Sequence, residues 1–298
     1  MNITVIGTAS KQFTYHVDQL PIRDDSLRAD RFLLSVGGRG VLQAVQAARL
    51  GANVSMLCRF SDDLEAGDLI RMLLSENIRV LTVERSPLKT SVNINVFDAF
   101  KHHFTISGGQ ASFDLRPVDL EPYATRITES SVLLLDQNIP SETMSAILRM
   151  TALHNPFVIL NPSRPYRLES ILYPFITCMT PNADELAKLT GSSDLEEGVA
   201  ILLNWGVKHV VVTLGDRGCY YAKIDEAYFV ESFGVEPLDS SGTGDAFNAA
   251  LAVSIAQGKT MREALIYANA VGALCTLKEG CVESLPYLSD VENFIKEY

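Results

Sequence analysis

The sequence predicts an α/β fold of three layers: a mostly parallel central sheet with helices on both faces, plus a small β lid. Three observations carry this. Short apolar runs alternate with amphipathic segments along the chain, two stretches interrupt that rhythm with polar, strand-like alternation, and a polar, glycine-rich turn runs directly into a helix in DSSGTGDAFNAAL, Asp239 to Leu251. A strand followed by an amphipathic helix, repeated, is the pattern of parallel strands joined by helical crossovers.

The first strand is NITVIG, and VLQAVQAARLG is the helix after it. NVSMLC is followed by EAGDLIRMLLSENI, SVLLLD by SETMSAILRMTALH, and FVILN by a Pro-rich loop. ITCMTPN, ADELAKLTG, LEEGVAILLNWG and HVVVTLG continue the rhythm, so one sheet is expected to span most of the chain. The first interruption is Lys11 to Leu34, polar and irregular before RFLLSV. The second is Thr90 to Ser107, which alternates like two antiparallel strands around a DAFKHH turn. Both follow soon after a sheet strand, where α/β folds place their ligand crevice. They read as one lid, from about 11–34 and 90–110, on a single domain spanning 1–298. Such a lid has a second face, which either a partner subunit in a homodimer would bury or solvent would cover as on a free flap.

Composition narrows the function classes. At 298 residues with 47% hydrophobic content the chain can bury a large core. It has no run of eighteen apolar residues and no signal core, so a cytoplasmic protein with no membrane partner is expected. A formal net charge of −11 argues against nucleic acid as a partner, because that binding rests on many Lys and Arg contacts to phosphate. The five cysteines, Cys58, Cys178, Cys219, Cys275 and Cys281, form no CxxC pair and are odd in number, which suggests neither a zinc cluster nor a disulfide framework. His102 and His103 adjoin, and strand neighbours point to opposite faces, so they read as a turn rather than a shared metal site. The N-x-[ST] matches at Asn2 and Asn53 fall in expected buried strands and are read as chance.

Gly242, Thr243 and Gly244 let a backbone approach whatever lies above it, and the helix after them has unpaired N–H groups at its positive end, an anion site. Asp245, in the first turn, would repel that anion unless it takes a proton from a nucleophile attacking it. From these residues alone, a tight turn with Asp239 or Ser241 as a helix cap accounts for the stretch equally well. There is no Walker-type P-loop and no G-x-G-x-x-G.

Four segments in order, Gly37-Gly38-Arg39-Gly40 in SVGGRGVLQAVQAARLGA, then TPNADEL, VVTLGDRG and DSSGTGDAFNAAL, resemble the motifs of the ribokinase-like, PfkB-type carbohydrate and nucleoside kinases. The likeness covers nearly the whole chain. It implies the ribokinase-like fold and ATP-dependent phosphoryl transfer to an alcohol, with the amides of Gly242, Thr243 and Gly244 as an anion hole and Asp245 as the base. It also implies that Asn182 and Glu185 organise Mg²⁺ through water, although the pair equally suits a plain helix N-terminus. By the same likeness Thr213, Gly215, Asp216 and Gly218 read the nucleotide, their alternative being a hairpin turn before CYYA. Asn269 and Gly272, in IYANAVGALC, would line the adenine pocket; a glycine inside a helix otherwise costs about 1 kcal/mol. Asp239 and Ser241, with the loop around Gly280 and Ser284, resemble a potassium site.

The acceptor side departs from the family pattern. Ser10-Lys11-Gln12 stands where N-x-D is usual, Leu42 where an Asn follows the diglycine, Arg39 at a lysine position, and Asn138 where an acid is expected, with Asp136 close by. Ser10, Gln12, Gly37, Gly38, Arg39, Leu42, Asn138 and Asp245 therefore form an acceptor pocket poorly matched to ribose. Lys11, Arg39, Arg164 and Arg167 suggest an acceptor with a negative group or a polar base; the alternative is four solvated rim charges. The leading expectation is an ATP-dependent carbohydrate kinase. A nucleoside kinase, such as a pseudouridine-type one, and a non-catalytic ligand sensor are the alternatives, and a dinucleotide-dependent oxidoreductase lacks its glycine fingerprint.

Overall fold

A computed structural model describes every residue except 25, 82, 101 and 298, and the side chain of residue 103. The chain runs β1 (Asn2–Ile6), β2 (Ser10–His16), β3 (Arg31–Gly37), α1 (Arg39–Arg49), β4 (Asn53–Leu57), α2 (Leu64–Ser75), β5 (Arg79–Leu81), β6 (Ser91–Phe97) and β7 (His103–Gly108). It continues α3 (Ala124–Thr128), β8 (Val132–Asp136), α4 (Ser141–Thr151), β9 (Phe157–Asn161), β10 (Cys178–Met179), α5 (Ala183–Thr190) and α6 (Leu195–Asn204). The last third is β11 (His209–Thr213), β12 (Cys219–Lys223), β13 (Glu226–Val230), α7 (Thr243–Ala256), α8 (Met261–Cys275) and α9 (Leu288–Glu297).

Nine strands form one sheet in the order β13-β12-β11-β10-β9-β8-β1-β4-β5, parallel from β11 to β5 and antiparallel at the β11-β12-β13 edge. Strand alternation sorts the core into two layers. Ile3, Val5, Val132, Leu134 and Ile159 pack with residues of α1, α2, α7 and α8, while Ile6, Leu133, Leu135, Val158 and Leu160 pack with α3, α4, α5 and α6. The result is the three-layer α/β fold expected from the sequence.

The two interrupting stretches pair with each other in a second sheet, β3-β2-β6-β7, whose central pair is parallel and whose flanking pairs are antiparallel. The Lys101 part of the DAFKHH turn and the His103 side chain lie outside the described residues. His102 Nδ1 sits 3.0 Å from Asp98 Oδ2 within that turn. No group of three or more His, Cys, Asp or Glu suited to a metal occurs among the described residues. All five cysteines are free. Asn2 and Asn53 are exposed rather than buried: paired in register at the ends of β1 and β4, they share a 2.8 Å hydrogen bond. No helix among the described residues is long and apolar enough to cross a membrane.

Candidate active site

One cleft of about 1890 Å³ receives the loops that leave the parallel strands at their C-terminal ends: Ser10 after β1, Asn138 after β8, Arg164 after β9, Asn182 after β10 and Gly215 after β11. Its opposite wall is the inner face of the small sheet. There Ser10, Gln12 and Thr14 of β2 stand beside Asn93 and Asn95 of β6. These side chains form a neutral polar network: Gln12 Nε2 donates to Ser10 Oγ at 2.9 Å, Asn95 Nδ2 to Gln12 Oε1 at 3.0 Å, and Thr105 Oγ1 to Asn95 Oδ1 at 2.7 Å.

At the floor lies the turn into α7. Gly242 takes φ 77°, a left-handed conformation that favours glycine, and the residues that follow it, Thr243, Gly244 and Asp245, line the cleft. Gly244 has open space on its Cβ side, and Leu42 packs against Gly242, where an added Cβ would meet Leu42 Cδ1 at 3.3 Å. The amide of Thr243 donates a long bond, 3.3 Å, to the Ser240 carbonyl. Asp245 is the third residue of the helix and only 4% exposed.

Gln43 Nε2 donates to Asp245 Oδ1 at 2.9 Å, and Arg39 Nη1 stands 3.9 Å from the same oxygen. Arg39 Nη2 lies 4.0 Å from Glu185 Oε1, so one guanidinium spans two carboxylates. Burial pushes the Asp245 carboxyl up to about 6; Arg39 and Gln43 pull it down, while Asp136 and Glu185 push it further up. Burial likewise raises Glu185 against the Asn182 amide and Arg39. Burial opposes the Arg39 charge, but Asp245, Asp136 and Glu185 outweigh it and hold the guanidinium above its ordinary value.

The other residues singled out from sequence divide by what holds them. Asn182 and Glu185 form a capping box on α5: Glu185 N donates to Asn182 Oδ1 at 2.8 Å and Asn182 N to Glu185 Oε2 at 2.9 Å. Glu185 Oε1 accepts no hydrogen bond among the described residues. Thr213, Gly215, Asp216 and Gly218 line the cleft and also form the connection between β11 and β12. Gly218 is required by the sheet itself, because an added Cβ would meet the Val230 carbonyl oxygen at 2.1 Å. Asn269 lines the cleft but spends its amide on the Val230 and Glu231 carbonyls, at 3.1 and 3.0 Å. Gly272 faces only Thr243, at 3.5 Å, so helix packing does not demand a glycine there.

Asp239 accepts from Ser241 N at 2.8 Å and Gly280 N at 3.0 Å, which joins the two loops of the suggested cation site. Gly37 leaves room for Gln12, whose side chain would lie 2.6 Å from an added Cβ, and Gly38 lines the cleft.

Two of the four suggested pocket cations do not face the cleft. Lys11 has the opposite parity to Ser10 and Gln12 on β2, and its Nζ pairs with Asp68 on α2 at 3.0 Å. Arg167 stacks over the Trp205 ring, 5.2 Å from its centroid. Sequence reasoning also missed Gln43, although four residues after Arg39 on one helix places it on the same face. It undervalued Asp136, fully buried, which accepts from Thr8 Oγ1 at 2.7 Å, Ser163 Oγ at 2.7 Å and the Asn138 amide at 3.0 Å.

A three-layer α/β fold whose cleft holds a glycine-rich turn and a buried acid at one helix start is an arrangement suited to a small-molecule site, and comparison with known proteins places it. The model of the pfkB family of carbohydrate kinases matches residues 1–288, and the chain belongs to that family. It is 30% identical over 296 residues to the ribokinase of Bacillus subtilis, covering 99% of each chain. A ribokinase structure from Thermotoga maritima superposes with a TM-score of 0.89 at 27% identity, covering 99% of both chains. An Arabidopsis thaliana ribokinase solved with ribose and ATP shares the fold at TM-score 0.89 and 23% identity, over 99% of this chain and 98% of the other.

Proposed function

We propose that this protein transfers the γ-phosphoryl group of ATP to a hydroxyl of a small sugar or sugar-like molecule, with Asp245 as the base. The observation that carries the reading is a buried carboxylate, raised to about 6, in the first turn of a helix whose leading residues line the cleft. Near neutral pH such a group is ionised yet able to accept a proton, as general-base catalysis needs. The acceptor oxygen forms its bond to the γ-phosphorus as the bond to the bridging oxygen of ADP breaks, and the hydroxyl proton passes to Asp245. Amides of the Gly242 to Gly244 turn receive the charge on the moving group, each donor worth roughly 3–4 kcal/mol in comparable sites.

Gln43 fixes the Asp245 carboxylate by one oxygen and leaves the other for the acceptor. Arg39 places positive charge between base and Glu185, the region through which the phosphoryl group would pass. The donor set fits Mg²⁺ bound through water: Glu185 Oε1, which accepts no hydrogen bond among the described residues though Arg39 stands 4.0 Å away, would hold the hydrated ion with Asn182 beside it in the cleft, and the ion would supply charge neutralisation on the phosphates. Thr213 to Gly218, Asn269 and Gly272 would form the nucleotide wall, and the Asp239, Ser241 and Gly280 loops a potassium-stabilised support for the anion hole.

The small sheet acts as the lid in this reading, excluding water that would compete with the acceptor. Its outer face is apolar, with Phe32, Leu34 and Ile106 each at least half exposed and Ile94 between them, and it fits a second copy of the chain. A nucleoside acceptor is the second reading, favoured by the amides of Gln12, Asn93 and Asn95, which suit a base edge. ADP release from Mg-ATP across sugars, acidic sugars, sugar phosphates and nucleosides, with Asp245→Asn as control, tests the proposal. Turnover that the variant retains would refute it.

A further inference from the structure

We propose that the phosphate acceptor carries an anionic group, a carboxylate or phosphate on a polyhydroxylated skeleton, and that Arg164 holds that group. The inference rests on the kinase reading above and goes on to name the acceptor class.

Three arginines line the cleft: Arg31, Arg39 and Arg164. Arg31 is paired with Glu279 at 2.5 Å, and Arg39 is spanned between Asp245 and Glu185. Arg164 is exposed and has neither a carboxylate nor a hydrogen-bond partner among the described residues. A guanidinium facing a ligand cleft with nothing to neutralise it is a site for an anion, and its planar fork matches carboxylate and phosphate oxygens in pairs.

Its position assigns it to the acceptor rather than to ATP. Arg164 sits in a short loop after β9, flanked by Pro162 and Pro165, which fix backbone φ on either side. The preceding residue, Ser163, accepts from Asn138 Nδ2 at 3.0 Å and donates to Asp136 Oδ1 at 2.7 Å, so the loop is bolted to the acceptor wall. In the proposed reaction the nucleotide phosphates would be received at the α7 turn, with hydrated Mg²⁺ between them and Glu185.

The wall opposite is compatible with a negative acceptor. Its Ser10, Gln12, Asn93 and Asn95 present hydroxyls and amides, as Asn138 does beside the Arg164 loop, and the Asp98 carboxylate, also at the cleft, is taken up within its own turn. An acid at position 12 or 138 would repel an anionic acceptor; neutral groups there leave hydroxyl recognition intact and remove the repulsion. Asp136 is fully buried beneath its hydrogen bonds, and its charge acts on Arg39 and Asp245 rather than standing exposed to the acceptor.

The test is kcat/KM for ADP release with a hexose, the hexonate of the same configuration and the corresponding hexose phosphate, and the same series for a pentose, on wild type and Arg164→Gln. The proposal expects one anionic member to exceed its neutral parent by about 100-fold, and Arg164→Gln to lower that preference by about 10–100-fold while the KM for ATP is unchanged. Whether the hexonate or the phosphate series responds identifies the anion. A neutral sugar turned over best, with Asp245-dependent activity, would overturn the inference and leave the kinase reading standing, and so would an effect of Arg164→Gln confined to the KM for ATP. Calorimetric binding of an anionic sugar that is lost in Arg164→Gln, without ADP release from any acceptor, would support the site and overturn the kinase reading.

Discussion

Replacing Asp245 with Asn should stabilise the free protein above pH 6 while removing its activity. The folded-state carboxyl stands at about 6 against an ordinary value of 3.8. With the folded value the higher, the protein's proton affinity stabilises the fold fully below pH 4, and this stabilisation is lost as the pH rises through 6. Above that, the ionised carboxylate in its buried site costs stability; roughly two pH units at 1.36 kcal/mol each make about 3 kcal/mol. An Asn side chain avoids that cost and still accepts from Gln43, but leaves Arg39 one carboxylate fewer, so the expected gain is about 1–3 kcal/mol at pH 8. In a chain of this length that raises Tm by about 2–6 °C. Thermal and urea unfolding of both proteins at pH 8 and near pH 4 provide the assay, with a gain at pH 8 and little difference near pH 4. A variant less stable at pH 8, or equally shifted at both pH values, would refute the assignment of a raised carboxyl at this position.

Gln43→Leu should raise the Asp245 carboxyl further, because a hydrogen bond to a charged group is worth about 1.5–3 kcal/mol; the acid limb of kcat is then expected to move up by about one to two pH units with the KM for ATP unchanged. Arg39→Met removes the cation between Asp245 and Glu185, and the same limb should move in the same direction. Gly242→Ala places a side chain at φ 77°, at a cost of roughly 1–2 kcal/mol in unfolding experiments, and should lower kcat more than it raises either KM. Ile106→Lys puts charge on the apolar outer face of the small sheet; if that face binds a second copy, light scattering should show a dimer for wild type and a monomer for the variant.

Much of the architecture is legible because its signals are local. NITVIG, SVLLLD and FVILN are short apolar runs that only a two-sided sheet buries, and DSSGTGDAFNAAL marks its helix start through glycines and an early acid. The small sheet is legible in its strands but not in its central pairing, since β2 and β6 meet in parallel across some eighty intervening residues. Lys11 shows how far pattern reaches: its charge suggested a pocket cation, while the parity it shares with Phe13 and Tyr15 turns it outward to Asp68. Arg167 was equally ambiguous, because the Trp205 ring that takes it comes from a distant helix end. Asn182 and Glu185 carry two meanings at once, and the capping box is the one made within the chain itself. The partnership of Gln43 with Asp245 needed tertiary structure, as it joins the first helix to the seventh.

The most direct test of the central claim is ADP release from Mg-ATP with the mixed acceptor panel, wild type beside Asp245→Asn. The account predicts acceptor-dependent turnover that falls by about 10²–10⁴ in the variant. Acceptor-dependent turnover undiminished by the substitution, or none with any acceptor despite measurable ligand binding, would contradict it.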